Sequence, residues 1–184
     1  MAIAKILISG PFGSGKTTLI KHVSDEQFSG KDVPTTGVLA QFKSMTTVGM
    51  DFGILNVDGD LDVHLFGTPG QARFNFMWKI LSKGALGGIL LVDTASDRAL
   101  VEAQNMIKTW TEIPDFPLVI GATKQDLPAA ISLDALAETL DSKDIPMFAV
   151  DARERVDNRM LVMALLQEIL LAEQDNNEVD VLDL

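Results

Sequence analysis

The chain alternates short apolar runs with longer stretches whose apolar residues recur every three or four positions. Residues 3–8 form the first apolar run and read as a strand. Thr18 to Val23 continue at helical spacing, to about Asp25. Residues 25–46 hold Gly, Pro, Ser and Thr without a clean period and read as one long loop. Loops of that length inside compact domains are usually functional. Residues 48–57 and 61–66 flank Asp58-Gly59, a strong hairpin signal, which predicts an antiparallel strand pair. A helix is expected from Phe74 to Lys83. The apolar run from Gly87 that ends at Asp93 has the character of a strand covered on both faces. A helix over Asp97–Trp110, a strand at Pro117–Ala122, a short helix at Leu133–Leu140, a strand at Pro146–Val150 and a helix at Asn158–Glu173 complete the pattern.

Strands and helices in alternation, with one hairpin, predict an α/β fold: a mostly parallel sheet with one antiparallel hairpin and helices on both faces. Right-handed crossovers gather the strand-end loops on one edge, where the site is expected. Gln174 to Leu184 is acidic and Asn-rich and reads as a disordered tail. The predicted organisation is one domain over residues 1–173 and a tail over 174–184.

Composition narrows the partners. A formal net charge of −11 argues against nucleic acid. The absence of cysteine excludes disulfides, thiolate metal sites and thiol catalysis. No apolar run reaches the length of a membrane span, and the N-terminus enters its first strand without a signal peptide. Ala2 follows Met1 and the C-terminus lacks a prenylation cysteine, so no direct membrane anchor is expected. These features predict a soluble cytoplasmic protein.

Gly10-Pro11-Phe12-Gly13-Ser14-Gly15-Lys16-Thr17 carries the chemistry. It is a G-x-x-x-x-G-K-[ST] phosphate loop between a predicted strand and a predicted helix, the setting such a loop requires. Its glycines let backbone N–H groups of residues 13–18, those of Gly13, Ser14, Gly15 and Thr18 included, turn onto phosphate oxygens at the positive end of the helix. Lys16 can span the β- and γ-phosphates, and the Thr17 hydroxyl can complete a Mg²⁺ shell. A nucleoside triphosphate is the implied ligand. Thr123-Lys124-Gln125-Asp126, after the fifth strand, bears on which base it carries. The Asp126 carboxylate can accept from guanine N1–H and N2–H₂, donors that adenine does not offer. The stem of Lys124 can lie along the base while its ammonium meets loop oxygens.

Together these segments resemble the Ras-like small GTPases over nearly the whole chain before the tail. Thr-Lys-x-Asp resembles the Rho-type variant, with Thr123 bracing the phosphate loop. Lys124 to Pro128 and Leu91 to Arg98 look Arf-like, and Thr46 to Gly53 looks like the Rab/Arf segment entering the second strand. Phe66 to Phe74, with Met77-Trp78, resembles the bacterial and archaeal Ras-like group associated with roadblock-type partners. The resemblance implies a switch that binds GTP and GDP with Mg²⁺, hydrolyses GTP slowly, and is regulated by partners including an activating protein. It implies that Gln71 orients the attacking water, that Gly70 and Thr47 complete the nucleotide contacts with Thr47 also on the metal, and that Asp151-Ala152-Arg153 forms the base loop. In that loop the Ala152 N–H would meet guanine O6. Arg73 resembles the switch arginine, and Phe74, Phe76 and Trp78 fall in the second switch, as partner anchors or core.

Three departures stand out. Gly67 replaces the aspartate that supports Mg²⁺ through water; Asp93 or Asp51 is the candidate substitute. Phe12 occupies a usually small position, where its ring either crowds the γ-phosphate or packs sideways. The first switch is long, and its threonine is either Thr47, directly before the strand, or Thr35 after Pro34, with the strand junction favouring Thr47. His22 and His64 have no ligand-spaced partners and read as helix-face or surface residues. A GTP-binding scaffold without hydrolysis and a P-loop small-molecule kinase are the alternatives.

Overall fold

The computed structural model describes residues 2–28, 51–70 and 81–182, without the side chains of residues 27, 28 and 175–182. Strand β1 (Ala2–Ser9) leads into α1 (Lys16–Val23) and β2 (Glu26–Phe28). Strands β3 (Phe52–Val57) and β4 (Leu61–Gly67) form a hairpin around Asp58 and Gly59, both at positive φ. Then follow β5 (Gly87–Asp93), α2 (Asp97–Thr111), β6 (Leu118–Thr123), α3 (Leu133–Leu140), β7 (Met147–Ala149) and α4 (Arg155–Leu182). The strands make one sheet in the order β2-β3-β4-β1-β5-β6-β7, parallel from β4 to β7.

Strand alternation divides the core in two. Ile6, Ile8, Val63, Leu65, Ile89 and Leu91 meet Leu19 and Val23 of α1 and Leu161 and Leu165 of α4. Leu7, Phe66, Leu90 and Val92 face the other way, onto Leu100, Met106 and Trp110 of α2 and Leu136 and Leu140 of α3. Each of these side chains contributes about 1.5–3 kcal/mol by leaving water. Every residue of β5 is buried, as its central place under helices on both faces demands. Gly88 is needed there because a Cβ would fall inside the Trp110 ring. Gly88→Ala should lower unfolding stability by about 2–3 kcal/mol, since overpacking a closed core forces the ring and backbone apart. Denaturant melts that match the unmutated chain would contradict this packing.

Two features differ from the sequence pattern. Residues 25–46 read as loop, yet Glu26–Phe28 pairs antiparallel with Phe52–Ile54 as the sheet edge, adding a second antiparallel pairing. Three residues are too few to show a period of two. The start of this strand is held by Asp25, whose N–H donates to Ile54 O and whose carboxylate accepts from Asn56 N at 2.9 Å and Arg155 Nη2 at 2.5 Å. Helix α4 is helical to Leu182, through the stretch read as a disordered tail, and starts at Arg155 rather than Asn158. No glycine or proline interrupts residues 155–182, so the backbone meets no stop at Glu173. Most of the helix expected at Phe74–Lys83 lies outside the described residues.

Candidate nucleotide site

Parallel strands bring the ends of β1, β4, β5, β6 and β7 to one edge, and the phosphate loop crosses it. Gly10, Gly13 and Gly15 all adopt positive φ (146°, 79° and 103°). At Gly10 a Cβ would also overlap the Leu91 carbonyl, so the loop passes directly over β5. Helices α2 and α3 begin with Ser96 and Ser132 hydroxyls accepting from Ala99 and Ala135 N–H. Helix α1 begins at Gly15 with no side-chain cap, which leaves its first amides to the loop. Lys16 Nζ donates to the Gly10 and Pro11 carbonyls at 2.9 and 2.7 Å. Burial lowers its pKa to about 8, against the opposing pull of Asp51 and Glu102.

Beside the loop lies a cleft of about 280 Å³ lined by Gly13, Ser14, Gly15 and Thr18 on one side. Thr123, Lys124, Asp126, Asp151, Ala152 and Arg153 line the other. Thr123 Oγ1 shares its proton between Ser14 O at 3.0 Å and Val92 O at 3.1 Å, which ties the β6 loop to the phosphate loop. Lys124 sits at φ 62° and its ammonium lies on Asp93 Oδ2 at 2.5 Å, a carboxylate rather than loop oxygens. Asp93 Oδ1 accepts from Ala95 N, so each of its oxygens has a partner within the β5–β6 edge.

The other candidate carboxylate is differently placed. Thr17 Oγ1 donates to Asp51 Oδ2 at 2.5 Å. Asp51 lies just before β3, and its carbonyl accepts from Gly67 N at 2.8 Å. A Cβ at Gly67 would stand 3.2 Å from Asp51 Cβ. A side chain at position 67 would therefore crowd Asp51. Beyond Gly67 the chain turns over the phosphate loop: Thr68 Oγ1 donates to Ser9 Oγ, and a Cβ at Gly70 would lie 2.7 Å from Lys16 Nζ. The Phe12 ring is 77% exposed, and so is not packed sideways into the domain. Thr47, Thr35, Gln71, Arg73, Phe74, Phe76 and Trp78 lie outside the described residues.

The family model for the Ras family matches residues 5–171 of this sequence. The chain belongs to the Ras family. This Ras-family chain is 25% identical over 183 residues to the yeast Ras-related protein SEC4, covering 97% of itself and 80% of that protein. It is 26% identical over 178 residues to human Ras-related protein Rab-27B, covering 91% of itself and 80% of that protein. An uncharacterised protein of Methanocaldococcus jannaschii is 33% identical over 123 residues, 67% of this chain and 71% of that one. Among solved structures, the Arl6 small GTPase of Trypanosoma brucei, with the bound nucleotide analogue GppNp, superposes with a TM-score of 0.68 at 22% identity. That match covers 93% of this chain and 99% of that one and shows the shared fold. GTP binding by a Ras-type switch domain is therefore the general character of this chain.

Several supporting residues give no local sequence signal. Asp157 Oδ2 accepts from Asp151 N and Asn158 Nδ2 donates to Ala152 O at 2.8 Å, so the first turn of α4 fixes the loop of residues 151–153. Gln125 Nε2 donates to Thr94 Oγ1 and Ile131 O, holding the Lys-Gln-Asp turn from behind. Lys5 Nζ donates to Leu81 O and Lys83 O and fastens that segment to β1. His22 is exposed on α1 with Nδ1 at Thr18 O, and His64 stacks edge-on against Phe52, with burial lowering its pKa. No described helix is long and apolar enough to cross a membrane.

Proposed function

We propose that this chain is a guanine-nucleotide switch that hydrolyses GTP slowly to GDP and phosphate under the control of partner proteins. The observation that carries the reading is the cleft in which Asp126 and Lys124 stand opposite the phosphate loop, with Thr123 tying the two sides together. In this reading Asp126 accepts from guanine N1–H and N2–H₂, and Ala152 N–H donates to O6. Lys124 lays its stem along the base, fixed at its far end by Asp93.

Thr17 and Asp51 are an oxygen donor pair 2.5 Å apart, a fit for a hard divalent cation. Thr17, Asp51 and Thr47 are the proposed holders of Mg²⁺, which would supply charge neutralisation to the phosphates when bound. Asp51, just before β3, then does what Gly67 cannot do from β4. Lys16 gives up its two carbonyls for phosphate oxygens, the amides of residues 13–18 with Gly70 hold the rest, and Gln71 orients the water for in-line attack. An activating protein and a roadblock-type protein are the proposed partners, on the strength of the Ras-like and bacterial-type motifs.

Phosphate binding needs the Lys16 ammonium, which burial makes easy to deprotonate. Below about pH 8 the free protein already carries the proton, and affinity should be flat. Above it the complex must take a proton up, so affinity should fall by about tenfold per pH unit. A GDP titration series from pH 7 to 9 with no such break would remove this role for Lys16.

Single-turnover GTP hydrolysis, with Gln71→Leu alongside, tests the enzymatic part. A slow rate that drops further in the variant supports a GTPase with Gln71 on the water. Tight guanine binding with no turnover in either protein, even with an activating partner, would favour a scaffold.

A further inference from the structure

Arg153 has no task in the scheme above, yet it is held at the base end of the cleft. Its Nε donates to Asp151 Oδ1 at 2.8 Å, its Nη2 to Asp151 Oδ2 at 2.6 Å, and its backbone N–H to Oδ1 at 2.9 Å. The same Nη2 reaches Asp126 Oδ2 at 3.3 Å. One arginine thus bridges the base loop and the carboxylate that reads the base.

A guanidinium and the N1–C2–N2 edge of guanine present the same pattern: a planar array of N–H donors that matches a carboxylate. Each Asp126 oxygen can accept two hydrogen bonds, but two planar donor edges aimed at one carboxylate crowd each other, so the base must displace Nη2 or share Oδ2 with it. We propose that Arg153 is a built-in guanine mimic that competes with the base for Asp126, and that Asp151 is the clamp that limits the competition. The inference rests on Asp126 reading guanine. As the base arrives, Nη2 gives up its longer bond and keeps its shorter one to Asp151. The hydrogen bonds from Arg153 hold the Asp151 carboxyl at about pKa 2, so the clamp stays charged at any pH where the protein works. Because the Arg153–Asp126 pair is largely exposed (64% and 61%), its hold is weak. It tunes the rate of entry and does not bar it.

The two halves of the pair give opposite predictions. Arg153→Ala removes the mimic, and association of a fluorescent GDP with the nucleotide-stripped chain should speed up by about two- to fivefold. Asp151→Asn keeps the oxygen that accepts from Arg153 N–H but weakens the clamp, so Arg153 turns more to Asp126 and association should slow by a similar factor. Attraction of an anionic ligand to local charge predicts the reverse in both variants, because the first loses a positive charge and the second a negative one. Stopped-flow association in about 150 mM salt reads the difference. Unchanged rates, or slower Arg153→Ala with faster Asp151→Asn, would overturn the inference while leaving the guanine site in place. Labelled GDP that ATP displaces from the unmutated chain as readily as GTP would remove the guanine reading itself, and the inference with it.

Discussion

Asp51→Ala should release bound GDP about 10–100 times faster than the unmutated chain in millimolar magnesium, and the two should converge when the metal is chelated. The reason lies in the exchange between strands. At Gly67 there is no carboxylate, and the space beside Thr17 is filled by Asp51, just before the neighbouring strand. Removing a residue that orients a metal's water shell typically costs one to two orders of magnitude in metal affinity. Asp93 is engaged by Lys124 and Ala95, whereas the Thr17 hydroxyl is on Asp51. The exchange also predicts a rescue. A side chain at Gly67 would meet Asp51 Cβ at 3.2 Å and the flexible tip of Ile20 at 2.9 Å. Deleting the Asp51 side chain clears the first contact, so Asp51→Gly with Gly67→Asp should recover most of the retention that Asp51→Gly alone loses. A magnesium-dependent off-rate that is the same in Asp51→Ala as in the unmutated chain would contradict this role.

Asp126→Ala should weaken GDP binding by at least about a hundredfold and leave the much weaker binding of ADP where it is. Hydrogen bonds to a charged acceptor contribute about 1.5–3 kcal/mol each, and the proposed pose gives guanine two of them. Adenine has no donors at those positions and loses nothing. The scaffold around the residue stays intact in the variant, because Thr123, Gln125 and Asn158 hold the surrounding loops through other atoms. A comparable loss for both nucleotides would mean that Asp126 supports the loop and does not read the base.

The central strands and the phosphate loop were legible because their signals are local. The alternation of Ile6, Leu7 and Ile8 onto opposite core faces and the positive φ demanded of Gly10, Gly13 and Gly15 are written in consecutive residues. Strand β2 was not legible, since its pairing with Phe52–Ile54 depends on a partner more than twenty residues away. The extra length of α4 was hidden by composition, as acidic and Asn-rich residues suggest a tail even where nothing breaks a helix. At the site, the choice between Asp51 and Asp93 required the register of β3 on β4 and the reach of Lys124 across β5 and β6. The Arg153–Asp126 contact likewise joins two loops that are 27 residues apart in sequence. Such pairings are set by the sheet, and no period along the chain contains them.

The most direct test of the account is a nucleotide competition on the unmutated chain. Labelled GDP would be bound in magnesium and challenged in turn with GTP, GDP, ATP and ADP. Displacement by the guanine nucleotides at concentrations at least about a hundredfold below those needed for the adenine nucleotides is the result predicted here. Equal displacement by both classes would contradict a guanine site at Asp126, and with it the switch built around that site.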